Sequence, residues 1–135
     1  MLTIDDKELL YNMTDGSYEY QDRPFSGVAR RYSRNGTLLS EIVYVNGLQD
    51  GPARYWYPSG ELMGEESFRR NGRSGVSREW HRNGKVKRET EFEHSIRVRE
   101  KQWDESGQIV RDFTLSKDDP LYKTLEQYRR IYDRP

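Results

Sequence analysis

The segment Asp50-Gly51-Pro52-Ala53-Arg54-Tyr55-Trp56-Tyr57-Pro58-Ser59-Gly60-Glu61-Leu62 decides the fold. Its Pro58-Ser59-Gly60 turn, set between short runs of aromatic and polar residues, is a β-hairpin signal. A two-residue type I′ turn would need Ser59 at positive φ and would set Trp56 and Leu62 on opposite faces. A three-residue loop, a type I turn followed by a glycine bulge, instead puts Pro58 where its fixed φ is favourable and Gly60 in the left-handed conformation, and it pairs Trp56 with Leu62. Turn chemistry and apolar patterning agree only in the bulged register.

Outward from this segment the pattern repeats. Gly27, Gly51 and Gly75 are 24 residues apart, and Gly36, Gly60, Gly84 and Gly107 follow at 24, 24 and 23. An aromatic precedes each turn glycine by four (Tyr32, Trp56, Trp80, Trp103), and an aliphatic follows it by two (Leu38, Leu62, Val86, Ile109). Five residues after it stands an acid (Glu41, Glu65, Glu89, Asp112), and eight after it a large apolar residue (Tyr44, Phe68, Phe92, Leu115). A fixed period of this length marks a repeat array. The reading is an all-β protein, a single-layer antiparallel meander of about four stacked 24-residue β-hairpin repeats. One face is expected to carry the core residues Trp56, Leu62 and Phe68 with their equivalents, and the other Tyr55, Tyr57, Met63 and Glu65 with theirs. The fourth unit is one residue short and lacks the opening glycine, as terminal repeats often do.

The flanks read differently. Asp15-Gly16-Ser17-Tyr18-Glu19-Tyr20 looks like half a unit that supplies the first strand pair. Ser116-Lys117-Asp118-Asp119-Pro120 reads as an N-cap followed by a first-turn proline, and Leu121, Leu125, Tyr128 and Tyr132 then recur at helical spacing. The expectation is one domain over 1–135: an N-terminal cap and half repeat (1–24), four repeats (25–116) and a C-terminal segment (117–135). Its amphipathic helix, over 119–132, caps the sheet through Leu121, Leu125 and Tyr128.

Composition fits a shallow architecture. Of the 135 residues 33% are hydrophobic and 34% charged, against about 45–50% (glycine included) and about 25% in ordinary globular chains. Aromatics reach 13%, enough for a thin core of few large side chains. The absence of cysteine removes disulfides, thiolate zinc sites and cysteine nucleophiles together. No apolar run approaches the roughly 18 residues of a membrane span, and the N-terminus lacks the pattern of a secretion signal. A cytoplasmic location with no membrane partner is therefore expected. The 23 basic and 23 acidic residues balance, which argues against nucleic-acid binding, although 17 of the basic residues are Arg, a bias suited to bidentate pairing.

Residues that carry chemistry are sparse. His81 and His94 are 13 apart, one before a turn and one in a link, and do not make a metal pair. No phosphate loop, dinucleotide fingerprint or nucleophile elbow is present. Equivalent acids in successive hairpins lie two strands apart, about 9.5 Å, and a flat sheet neither excludes water nor raises one carboxyl pKa. No enzyme, cofactor or metal is expected. The acids form a stripe that reads in two ways, as a solvated face paired with Arg30, Arg54, Arg78 and Lys101 or as a recognition surface. In the second case Glu41, Tyr55, Tyr57, Glu65, Glu89 and Asp112 are the candidate partner-binding residues, because aromatics amid charge are what interface anchors favour.

These motifs resemble the MORN-variant repeat, a hairpin unit of glycine, aromatic, turn glycine and aliphatic, as in Gly51, Trp56, Gly60 and Leu62. The lead-in Asp15–Tyr20 followed by Pro24-Phe25-Ser26-Gly27 resembles the opening of bacterial YwqK-type antitoxins, immunity proteins of polymorphic toxins. The likeness covers about residues 15–115. It implies a protein that neutralises a cognate toxin by direct stoichiometric binding, the toxin being a nuclease or another enzyme acting in the cytoplasm. The broader repeat class implies an alternative, a structural scaffold or membrane-associated interaction module.

Overall fold

A computed structural model gives the fold and describes residues 1–133. In chain order the strands are β1 (Thr3–Asp5), β2 (Leu10–Tyr11), β3 (Tyr18–Tyr20), β4 (Arg23–Pro24), β5 (Gly27–Tyr32), β6 (Leu38–Val45), β7 (Leu48–Trp56), β8 (Leu62–Arg69), β9 (Gly72–Arg73), β10 (Gly75–Trp80), β11 (Val86–Glu93), β12 (Ile96–Trp103) and β13 (Ile109–Thr114). Helix α1 (Pro120–Tyr132) closes the chain, and Asp6–Glu8 form one 3-10 turn. Ten strands make an open sheet in the order β1-β5-β6-β7-β8-β10-β11-β12-β13, with β9 paired to β8. From β5 onward it is an antiparallel meander, and β1 alone joins in parallel.

The bulged register is the one found. Tyr32 pairs with Leu38, Trp56 with Leu62, Trp80 with Val86 and Trp103 with Ile109, each beside a register shift. The loop glycines 36, 60, 84 and 107 have φ of +88°, +104°, +85° and +93°, where an L-residue would be strained. The links between units are a second turn type. Asn46-Gly47, Arg70-Asn71 and His94-Ser95 each have two consecutive positive φ values, the signature of a two-residue type I′ hairpin.

The core lies on the other face from the one the pattern predicts. At each bulge two residues of the later strand face one of the earlier, so Met63 is extra where Tyr55 pairs with Gly64 and Trp56 with Leu62. That extra residue resets the alternation of the strand. Trp56 and Leu62 therefore share a face with Arg54, while Phe68 stands on the opposite one with Glu66, Gly64 and Ala53. The tryptophans are only half-buried, whereas Ala29, Ser40, Tyr44, Ala53, Phe68, Thr90 and Glu100 on the second face are buried.

That face is covered at its two ends. At the N-terminal end β2, β3 and β4 form a separate three-stranded sheet. The half unit around Tyr18–Tyr20 thus caps the meander instead of adding its first strand; β1 occupies that edge, and its arrival demands glycine at 27, where a Cβ would lie 2.3 Å from the Leu2 carbonyl oxygen. Phe25, Ile4, Ala29 and Tyr44 pack there with Tyr18, Tyr20 and Ile42, and the rings of Tyr18 and Phe25 meet Tyr44 at 5.5 and 5.7 Å. At the C-terminal end α1 begins with the Asp119 carboxylate accepting from the Leu121 backbone N–H, with Pro120 in its first turn. Leu125 is buried against Ile96 and Leu115, with Val98, Phe113, Tyr122 and Tyr128 around it. Leu121, expected in this contact, is 51% exposed, and Tyr122 takes its place. The helix stops at Tyr132; residues 134 and 135 of the expected segment lie outside the described residues.

Leu125→Ala should cost about 2–5 kcal/mol, the range for truncating a buried leucine, and Leu121→Ala less than about 0.5 kcal/mol, as surface changes do. Urea unfolding of the two variants checks the docking face.

Candidate partner-binding face

Register brings the candidate acids into one row. Asp5, Arg30, Glu41, Arg54, Glu65, Arg78, Glu89, Lys101 and Asp112 are successive cross-strand neighbours. The sign of the charge alternates at every step. Within hairpins the pairs close at 2.9 Å for Arg30–Glu41, 3.8 Å for Arg54–Glu65 and 2.9 Å for Arg78–Glu89. The acidic stripe is therefore a ladder of five acids and four bases whose charges cancel to within one unit.

Of the six candidates, Glu41, Glu65, Glu89 and Asp112 stand together in this ladder, and Tyr55 does not. Tyr55 pairs with Gly64 and Ser40 on the opposite face, because it and Arg54 are consecutive along β7. Tyr57 lies just past β7. Its hydroxyl donates to the Trp80 carbonyl at 2.6 Å, and the Arg82 guanidinium lies 5.2 Å from its ring centroid. One repeat on, His81 Nε2 donates to the Trp103 carbonyl at 2.9 Å. These two side chains tie the second turn to the third and the third to the fourth.

Between the two capped ends the buried face remains open as a groove of about 630 Å³, lined by Tyr55, Glu66, Arg73, Ser77, Glu79, Arg88, Thr90, Phe92, Arg97 and Glu100 among others. Its polar floor is built from carboxylates. Glu66 accepts from the Tyr55 hydroxyl at 2.9 Å and from Arg73 Nε at 3.0 Å. Burial, followed by the charge of Glu66 and this hydrogen bond, pushes the Tyr55 phenol well above its ordinary value. Glu100 has a side chain only 5% exposed. It accepts from Thr90 Oγ1 at 2.8 Å and Gln102 Nε2 at 2.9 Å, and it lies 3.0 Å from Arg111 Nε and 3.6 Å from Arg97 Nη1. Burial alone raises its pKa, but the hydrogen bonds from Gln102 and Thr90 and the charges of Arg97 and Arg88 outweigh burial and hold the carboxyl below its usual range. Glu79 Oε2 and Arg88 Nε are 3.3 Å apart, both atoms shielded from solvent and neither in a hydrogen bond.

The repeat pattern did not disclose this groove, yet a signal was there. Three residues before each aromatic stand Ala29, Ala53, Ser77 and Glu100, a position buried in all but the third repeat that turns from apolar to charged along the array. Among the described residues no group of three or more potential metal ligands occurs, and no helix is long and apolar enough to cross a membrane.

A row of stacked hairpins, capped at both ends and offering one nearly neutral and one grooved face, is a β-repeat protein. The MORN repeat variant family matches residues 25–46, 49–70 and 73–94, and the β12–β13 hairpin, which keeps the register, lies beyond that match. The chain is 54% identical over 118 residues to the immunity protein YwqK of Bacillus subtilis (strain 168), which covers 87% of this chain and 77% of that protein. It belongs to the MORN repeat variant family. No solved structure matches it.

Glu100 contributes stability above the ordinary carboxylate value near 4.5 and loses it as pH falls through its lower folded value. Glu100→Gln should cost about 1.5–3 kcal/mol at pH 7, the range for hydrogen bonds to a charged group, and should flatten the decline of stability below pH 4.5. Denaturation midpoints of both proteins from pH 7 to pH 3 read this directly.

Proposed function

We propose that this chain is an immunity protein that neutralises a cognate toxin by direct, stoichiometric binding, without turning over a substrate. The observation that carries the reading is the 54% identity to immunity protein YwqK along most of both chains. The architecture supports it, since a thin sheet stiffened by cross-strand pairs and caps offers a surface already in its bound shape, which lowers the ordering cost of association.

The contact surface is proposed to be the grooved face with Tyr55. The ladder acids Glu41, Glu65, Glu89 and Asp112 stand beside basic cross-strand neighbours, so they contribute at most local contacts and no acidic field to steer a basic toxin.

Co-expression with the cognate toxin, sought among the neighbouring genes, should restore growth, with a 1:1 complex in size-exclusion chromatography with light scattering. Protection that persists when the chain is far scarcer than the toxin would indicate turnover instead of binding and overturn the stoichiometric mechanism.

A further inference from the structure

In three of the four ion pairs of this face the basic partner is the more exposed. Arg73, Arg97 and Arg111 have side chains 53%, 45% and 43% exposed, against 23% for Glu66 and 5% for Glu100. Glu66 and Glu100 form the floor beneath these guanidiniums, while Glu79 and Arg88 stand level with each other. Arg73, Arg88 and Arg97 line the groove and Arg111 stands beside it, so that four guanidiniums meet the three carboxylates of Glu66, Glu79 and Glu100, Glu100 serving both Arg97 and Arg111.

These arginines are also held in place. The Arg73 guanidinium lies 5.9 Å from the ring centroids of both Phe68 and Phe92, and those of Arg97 and Arg111 lie 4.9 and 5.5 Å from Phe113. Arg73, Arg88 and Arg111 meet their carboxylates through Nε, which leaves the terminal nitrogens for an incoming acceptor. An arginine carries about 2 kcal/mol of rotamer entropy, and ring contact together with the Nε pairing removes part of it before any partner arrives. Planar guanidiniums so fixed match carboxylates bidentately.

We infer that the groove binds an acidic, extended segment of a protein partner, at least two of whose carboxylates engage Arg73, Arg88, Arg97 and Arg111. This rests on the reading of the chain as an immunity protein and makes the contacting element of the toxin acidic. A nucleic-acid strand fits less well. Arg73 and Arg88 each have a carboxylate partner and Arg97 and Arg111 share one, the ladder alternates in sign, and the chain as a whole has 23 acids for 23 bases, whereas phosphate binding gains its affinity from an uncompensated basic surface.

The test uses the full chain and fluorescence anisotropy at physiological ionic strength. The probes are a fluorescein-labelled Glu-rich decapeptide, its Gln-substituted counterpart and a ten-nucleotide single-stranded DNA. The Glu peptide should bind at least tenfold more tightly than either of the others. Arg88→Glu should weaken it at least tenfold, and Arg88→Lys, which keeps the charge but loses the fork, by a smaller factor. Arg73→Gln at the rim gives an independent reading should Arg88→Glu fail to fold, and Arg54→Gln on the ladder face should leave binding unchanged. Equal binding of the Gln peptide or tighter binding of DNA overturns the inference, as does an equal loss in Arg54→Gln. An inert groove in a chain that still protects against the toxin defeats this inference alone. A groove that takes the Glu peptide in a chain that forms no toxin complex supports the groove chemistry and defeats the immunity reading.

Discussion

Two irregularities per hairpin, a left-handed loop glycine and a second bulge just beyond it, decide which side chains share a face. Gly36, Gly60, Gly84 and Gly107 let a type I turn close each three-residue loop, and past the first cross-strand pair a separate bulge inserts one residue, Leu39, Met63, Lys87 or Val110, into the later strand. Side chains alternate with a period of two, so one inserted residue exchanges the faces for the remainder of that strand. Each strand from β6 to β13 inherits its orientation from such a turn or from the type I′ link that follows. The same register aligns nine alternating charges in one row and places Tyr55, Glu66, Glu79 and Glu100 on the opposite side.

The two faces divide the work between them. On the ladder face the sequence repeats closely: Arg30, Arg54, Arg78 and Lys101 against Glu41, Glu65, Glu89 and Asp112. Exposed pairs of this kind stabilise by about 0–1 kcal/mol each. Their larger effect is on register, because a slip of two residues along any strand would set other side chains opposite them and unpair the row. On the grooved face the corresponding positions drift from Ala29 and Ala53 to Ser77 and Glu100, and from Ser40 and Gly64 to Arg88 and Arg111. Small residues at the start of the array belong to the covered N-terminal end. Charged ones appear toward the C-terminal end of the array, where the groove lies. Repetition therefore records what stacking requires, and departure from it records what is particular to this chain.

Much of this was legible in the sequence. Pro58 and Gly60 determined the loop, the loop determined the Trp56–Leu62 pairing, and Pro120 with the Leu121–Leu125–Tyr128 spacing placed the helix. The face assignment was not legible from apolar spacing, since the eight-residue interval from Gly60 to Phe68 carries no mark of where within it the alternation resets. The two faces of α1 were ambiguous for a related reason: Leu121 and Tyr122 are both large and adjacent, and only the position of Ile96 and Leu115 on the sheet selects Tyr122. Glu100 could not be recognised because a lone carboxylate at a position occupied elsewhere by Ala53 reads as an irregularity of the last repeat. Its ligands Thr90, Gln102, Arg97 and Arg111 come from three strands and converge only once those strands pair.

Electrostatics then separates the faces further. Along the ladder neighbouring charges alternate at about the strand spacing of 4.8 Å, shorter than the screening length of about 8–10 Å in physiological salt. Opposite signs therefore cancel before salt does, and little field leaves that surface. In the groove the two signs are layered in depth around Glu100 and Glu66, which lie beneath Arg73, Arg97 and Arg111, while Glu79 and Arg88 stand level. A layer of that kind does not cancel sideways, and an approaching molecule meets its outer charge first. The attraction available to the molecule thus comes from its grooved face and is directed at acidic groups. A partner selected for basic charge would find the ladder nearly neutral and the more exposed charges of the groove mostly of its own sign.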